Sequence, residues 1–153
     1  GGAALQRGYR LLADEAKLIM RSDRRKVTPY GLSDGLPGTP SWNILNHGSE
    51  QQILPVCPMA SVRMVKGDEF IHIQAGAGGF GDPLERDPEK VLVDVLNELI
   101  SSAYANDVYG VIIRDGEVDF EATELRRLEL NKTSTAEGAY MKHFYDAINI
   151  SPI

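Results

Sequence analysis

The chain has 153 residues, 42% hydrophobic and 25% charged, a balance that fits a globular protein with a real core and excludes a disordered or fibrous one. The net charge is −6 and the basic residues are scattered, the densest run, Arg21 to Lys26, containing Asp23; no basic face for nucleic acid is expected. No apolar run reaches the roughly 18 residues of a membrane span, and the single cysteine, Cys57, cannot form an intrachain disulfide, which points to a cytoplasmic setting.

The first half reads as β structure. Two apolar runs between Tyr9 and Arg21 flank Asp14 and Glu15, which predicts a hairpin. Residues 28–46 are dense in Gly and Pro. Pro29, Pro37 and Pro40 push the residues before them into extended or turn geometry, so an ordered, irregular loop is expected. Cys57 stands between Pro55 and Pro58 on an extended segment and reads as a buried structural thiol, because no histidine is placed by sequence to activate it. Residues 60–65 alternate apolar and polar, as a half-buried strand would. Lys66 to Asp68 form a turn, and residues 69–74 form a strand that enters a glycine loop.

After the loop the pattern turns helical. Asp87 predicts an N-cap with Pro88 in the first helical position, followed by an apolar stripe of Leu92, Val95, Leu96, Leu99 and Ala103. Ser102 is expected to cap a second helix through Tyr109, ended by Gly110. Residues 111–113 read as a short strand and 120–130 as a helix. Ser134 and Glu137 have capping-box spacing ahead of a last helix with Tyr140, Phe144, Ala147 and Ile148 on one face. The fold class is α+β, with β-hairpins and Gly/Pro-rich loops in the N-terminal half and helices in the C-terminal half.

The loop "GAGGFGDP", residues 76–83, matches the dinucleotide-binding pattern G-x-G-x-x-G at Gly76, Gly78 and Gly81. A strand precedes it, but Pro83 keeps Asp82 out of helical geometry, so no helix opens on the glycines. An acidic residue closing a second strand some 20 positions on is also lacking. Gly76, Gly78, Gly79 and Gly81 are therefore read as structural, permitting positive φ and close backbone packing beside Phe80, with Asp82 as a turn acceptor.

Taken with its flanks, this region resembles the hydantoinase B/oxoprolinase family. The resemblance lies in the glycine string with Phe80 and Gly81-Asp82-Pro83, in Leu84 to Glu89, and in Tyr109 to Ile112. Upstream it lies in Arg21 to Arg24, Pro29, Gly31-Leu32, Gly35, Pro37-Gly38 and Pro40-Ser41 with Asn43. It implies that residues 1–130 correspond to the C-terminal region of a B-type subunit and that 131–153 form a helical extension. It also implies a share in ATP-dependent opening of a cyclic amide such as a hydantoin or 5-oxoproline, with ketone carboxylation and a purely scaffolding or docking role as alternatives. An unstrained lactam is a poor electrophile, and phosphorylating its carbonyl oxygen makes ring opening easier. The implied partners are a hydantoinase A-like ATP-binding subunit and the remainder of the B-type subunit. ATP and a divalent metal are expected on those parts and no cofactor on this chain, which alone is expected to be inactive. Gly1 follows neither an initiator Met nor a signal-like region, so a fragment, a processed product and a separate subunit all stay open.

Under that resemblance Ser22, Asp23, Arg24 and Asn43 are the candidate substrate-binding residues. Arg24 would grip a phosphorylated intermediate with Asp23 orienting it, or else the two form an ion pair fixing strand to loop. Asn43 is either a donor to a substrate carbonyl or an anchor for the loop. His47, His72 and His143 lie on different elements without metal-ligand spacing and read as structural or surface residues. Tyr30 and Trp42 line a pocket or an interface, or pack in the core.

Overall fold

The computed structural model describes residues 1–46, 50–58, 60–133 and 136–150. It divides into two compact units, residues 1–32 with 37–80 and residues 33–36 with 81–153. His47 and the Ser134–Glu137 capping pair lie outside the described residues. Strands dominate the first unit and helices the second, the α+β arrangement expected.

The first unit holds β1 (Gln6–Arg10), β2 (Glu15–Leu18), β3 (Trp42–Leu45), β4 (Gln52–Ile53), β5 (Val62–Val65) and β6 (Glu69–Ile73). An antiparallel sheet runs β1-β6-β3-β4, and β2 pairs with β5 beside it. The hairpin expected about Asp14 and Glu15 does not form. Gln6 lies opposite Ile73 and Arg10 opposite Glu69, while Glu15 lies opposite Val65 and Leu18 opposite Val62. Between these ladders residues 11–14 face residues 66–68, one more on the first limb than on the second. The two ladders are thus the limbs of one long ribbon, bent at a bulged corner. Hydrogen bonds from Leu11 N to Asp68 O (2.9 Å) and from Lys66 N to Asp14 O (3.1 Å) span the bend. Burial decides this pairing: Leu11, Leu18 and Met20 pack on the core of Leu45, Leu54, Met64 and Phe70, which a local hairpin would leave exposed.

Asp68 stabilises the corner. Its carboxylate accepts from Val65 N at 2.8 Å and from Asn46 Nδ2 at 3.0 Å, and these bonds hold its pKa below the ordinary carboxylate value. A second correction concerns the Gly/Pro-rich segment, whose last residues form β3, an inner strand with all four residues buried.

The second unit holds a 3-10 turn (Pro83–Glu85), α1 (Pro88–Leu96), α2 (Ser102–Tyr109), β7 (Ile113–Arg114), β8 (Glu117–Val118), α3 (Phe120–Thr133) and α4 (Ala136–Ile148). Asp87 caps α1 through Glu89 N with Pro88 in the first turn, as its sequence predicts. Ser101 caps α2, one residue earlier than expected, and Gly110 ends it at φ 62°. The α1 stripe is corrected: the helix stops at Leu96, and Leu96, Leu99 and Ala103 are exposed. The buried cluster is Val91, Ala105 and Val111, with Val95, Ile100 and Tyr109 against it. β7 and β8 form a hairpin not foreseen, turned by Asp115 and Gly116 at φ 51° and 85°, the two-residue Asp-Gly signal of a type I′ turn. In α4 Ile148 is buried while Ala147 is exposed. Among the described residues no helix is long and apolar enough to cross a membrane.

Candidate functional site

The sequence-predicted residues Ser22 and Asn43 meet in the first unit. β3 lies beside β6 so that Asn43 stands directly opposite His72. Asn43 is fully buried, and its amide nitrogen donates to Ser22 Oγ at 2.8 Å and to the Pro55 carbonyl at 3.3 Å. Ser22 Oγ in turn donates to the Val56 carbonyl at 3.0 Å. Asn43 Oδ1 lies 2.7 Å from His72 Nδ1. The hydrogen-bonding groups of Ser22 and Asn43 are thus taken up inside the protein, where an unpaired buried amide would be costly. They position the segments around them. His72 is half-buried, and its pKa is lowered chiefly by burial and further by the charge of Arg7, against a backbone hydrogen bond at Trp42 that raises it.

Asp23 and Arg24 do not join that cluster. Their side chains are exposed and only 3.8 Å apart, too long and too wet a pair to fasten strand to loop. Backbone contacts do the fastening: Ser41 N donates to Arg24 O at 3.2 Å, Ser41 Oγ donates to Asp23 O, and Arg25 Nε donates to Ser41 O at 2.6 Å. Arg24 is held at φ 59°, in the left-handed region where a non-glycine residue costs roughly 1–2 kcal/mol. The loop thus presents the Arg24 guanidinium, half exposed, from a backbone set by its neighbours.

Two residues in this region escape a sequence reading. Arg25 stacks over the buried Trp42 ring at 4.3 Å and donates to Leu54 O at 3.3 Å. Its signal is faint, one more Arg in a basic run. His72 shares a face with Phe70 by strand alternation, but its partner Asn43 lies 29 positions away and depends on β3 being a strand.

The glycine loop packs against the Gly/Pro-rich segment of the same unit. Leu32 N donates to Gly79 O at 2.9 Å, and Gly76 N donates to Thr39 Oγ1 at 3.0 Å. A Cβ at Gly78 would lie 1.9 Å from the Tyr30 carbonyl oxygen, and one at Gly76 would lie 2.8 Å from Thr39 Oγ1. The space that a phosphate would need is filled by the protein's own chain, so these glycines do not fit a nucleotide. Gly81 has φ 81°, whereas Gly76, Gly78 and Gly79 are not among the positive-φ residues. Asp82 accepts from Leu84 N at 2.8 Å and caps the 3-10 turn.

Trp42 is buried and Tyr30 exposed. Cys57 is exposed, contrary to the buried thiol expected, because the prolines on both sides keep its segment irregular. His143 Nε2 lies 3.0 Å from Asp107 Oδ2 in the second unit, beside the Tyr104 ring. Among the described residues no group of three His, Cys, Asp or Glu is placed to hold a metal ion.

Comparison with known proteins agrees with this geometry. The sequence profile described as Hydantoinase B/oxoprolinase matches residues 1–83. The B-type subunit of a D-/L-hydantoinase from a Pseudomonas species is 34% identical over 84% of this chain and 22% of its own length. The acetone carboxylase alpha subunit of Xanthobacter autotrophicus is 27% identical over 90% of this chain and 18% of its own. Among solved structures, the ATP-dependent caprolactamase from Pseudomonas jessenii superposes with a TM-score of 0.66 at 25% identity, over 84% of this chain and 23% of that one. The chain therefore spans about a fifth to a quarter of these relatives. With more than half of its residues matched by the profile, the chain belongs to the hydantoinase B/oxoprolinase family.

Proposed function

We propose that this chain contributes to ATP-dependent opening of a cyclic amide, as part of a B-type subunit acting with an ATP-binding A-type subunit. The observation that carries this reading is the 34% identity to the B-type component of a hydantoinase across most of the chain. In this reading Arg24 is the substrate-facing group, its guanidinium gripping an oxyanion on the activated substrate, while Ser22 and Asn43 shape the strand ends around it. Neither nucleotide nor metal is assigned to this chain, and both belong to the rest of the assembly.

The test is reconstitution with the remainder of a B-type subunit and an A-type subunit. ATP-dependent loss of hydantoin, 5-oxoproline or caprolactam supports the reading, and no turnover of any of them refutes it. The similarity to an acetone carboxylase component favours one second reading, ATP-dependent carboxylation of a ketone, detected in the same assembly as acetone loss that requires bicarbonate. Turnover unaffected by Arg24→Ala would assign this chain a docking role instead.

A further inference from the structure

Asn43 fixes the protonation pattern of His72. Its amide nitrogen faces the Pro55 carbonyl, which can only accept, so Oδ1 must be the atom turned toward the imidazole. An amide oxygen only accepts as well, so His72 Nδ1 carries the proton. Burial and the neighbouring positive charge disfavour a second proton and outweigh the backbone bond at Trp42, which leaves Nε2 with a lone pair near neutral pH.

Arg7 stands directly opposite His72 in the β1–β6 ladder, so the two side chains share one face of the sheet. Among the described residues no carboxylate pairs with Arg7, although Arg10, three residues on, pairs with Glu69. The face thus combines an unpaired cation with a hydrogen-bond acceptor that no protein donor reaches. A ligand that satisfies both needs a negative oxygen for the guanidinium and an O–H for Nε2. Sulfate and carboxylates supply the charge and lack the O–H near neutral pH. Hydrogen phosphate supplies both.

We propose that Arg7 and His72 form a binding site for hydrogen phosphate, the guanidinium taking a charged oxygen and Nε2 accepting from the P–OH. The part of the proposal that makes this ion a product released at the site rests on the ATP-driven reaction proposed above; the binding itself rests on the geometry.

The test uses the 153-residue chain with 15N-labelled histidine, read by long-range proton–nitrogen NMR at pH 7.5. Removing the other two rings by His47→Gln and His143→Gln leaves His72 as the sole signal, so its assignment does not depend on a His72 variant folding. The expected result is a proton on Nδ1 and a saturable shift of Nε2 with inorganic phosphate. Sulfate at equal ionic strength should bind about tenfold more weakly, the loss expected for one hydrogen bond. Arg7→Gln should lose the phosphate response and keep the tautomer. A proton on Nε2, an equal response to phosphate and sulfate, or no response to either overturns the proposal. None of these outcomes bears on turnover in the reconstituted assembly, so the two readings fail separately.

Discussion

Replacing Gly78 by alanine tests the packing of the glycine loop with a single methyl group. The added Cβ would meet Tyr30 O at 1.9 Å, Tyr30 C at 2.5 Å and Gly31 N at 3.0 Å, all backbone atoms that cannot swing aside. Reaching an ordinary contact of 3.4 Å requires the two segments to part by about 1.5 Å, the difference from 1.9 Å. Half of that movement would stretch the bond from Leu32 N to Gly79 O, now 2.9 Å, beyond hydrogen-bond length. Overpacking of this kind costs about 1–3 kcal/mol and a lost hydrogen bond about 1 kcal/mol more, a total of about 2–4 kcal/mol. For a chain of this size each kcal/mol lowers Tm by roughly 2–4 °C, so a fall of roughly 4–16 °C is expected by calorimetry. Two controls separate crowding from backbone strain. Gly2→Ala adds a methyl with nothing within 4 Å and should be neutral. Gly81→Ala also meets nothing, but at φ 81° it should cost about 1–2 kcal/mol. If Gly78→Ala melts with Gly2→Ala, the reasoning about close backbone approach is wrong.

Asn43→Ala should destabilise the chain by about 2–4 kcal/mol in urea titration, because it removes three hydrogen bonds and strands the Pro55 carbonyl. Arg24→Ala should change stability by less than about 0.5 kcal/mol, yet lower turnover of the reconstituted assembly by roughly tenfold or more, with Arg24→Lys recovering only part. Unchanged turnover per folded molecule would remove Arg24 from the site. The His72 ring takes a proton less readily in the folded chain than its ordinary value, so acidification below about pH 6.5 loads the unfolded state first. Stability should therefore fall between about pH 7.5 and 5.5, and His72→Gln should flatten that slope in urea midpoints. Cys57, being exposed, should react with a thiol reagent in the native chain as fast as in urea; a reaction that waits for unfolding would contradict its placement.

Much of the second unit was legible because its signals are local. An Asp before a Pro caps α1 through its own neighbours, and Gly110 ends α2 by adopting a left-handed φ. The order of strands before helices follows from the same short-range chemistry, as do the strands on either side of Lys66 to Asp68. Helix faces were less legible. Leu96 and Leu99 continue an apolar spacing, but α1 ends at Leu96, and Glu98 at φ 58° turns the chain before Leu99 can follow the stripe.

The sequence by itself determined which residues stand near one another along the chain; what faces what across it was settled only in the folded structure. Asp14 and Glu15 look like a hairpin turn, yet β1 and β2 find their partners in β6 and β5, far along the chain, because only that pairing buries Phe70, Met64 and Leu45 together. Trp42 to Leu45 carry a loop's neighbours and a strand's burial. Once that strand is seated, Asn43 falls opposite His72 and Ser22 closes on Asn43, a constellation drawn from three distant segments. Register is a long-range property: it is set by the apolar residues that must be buried at once, and no window along the chain contains all of them.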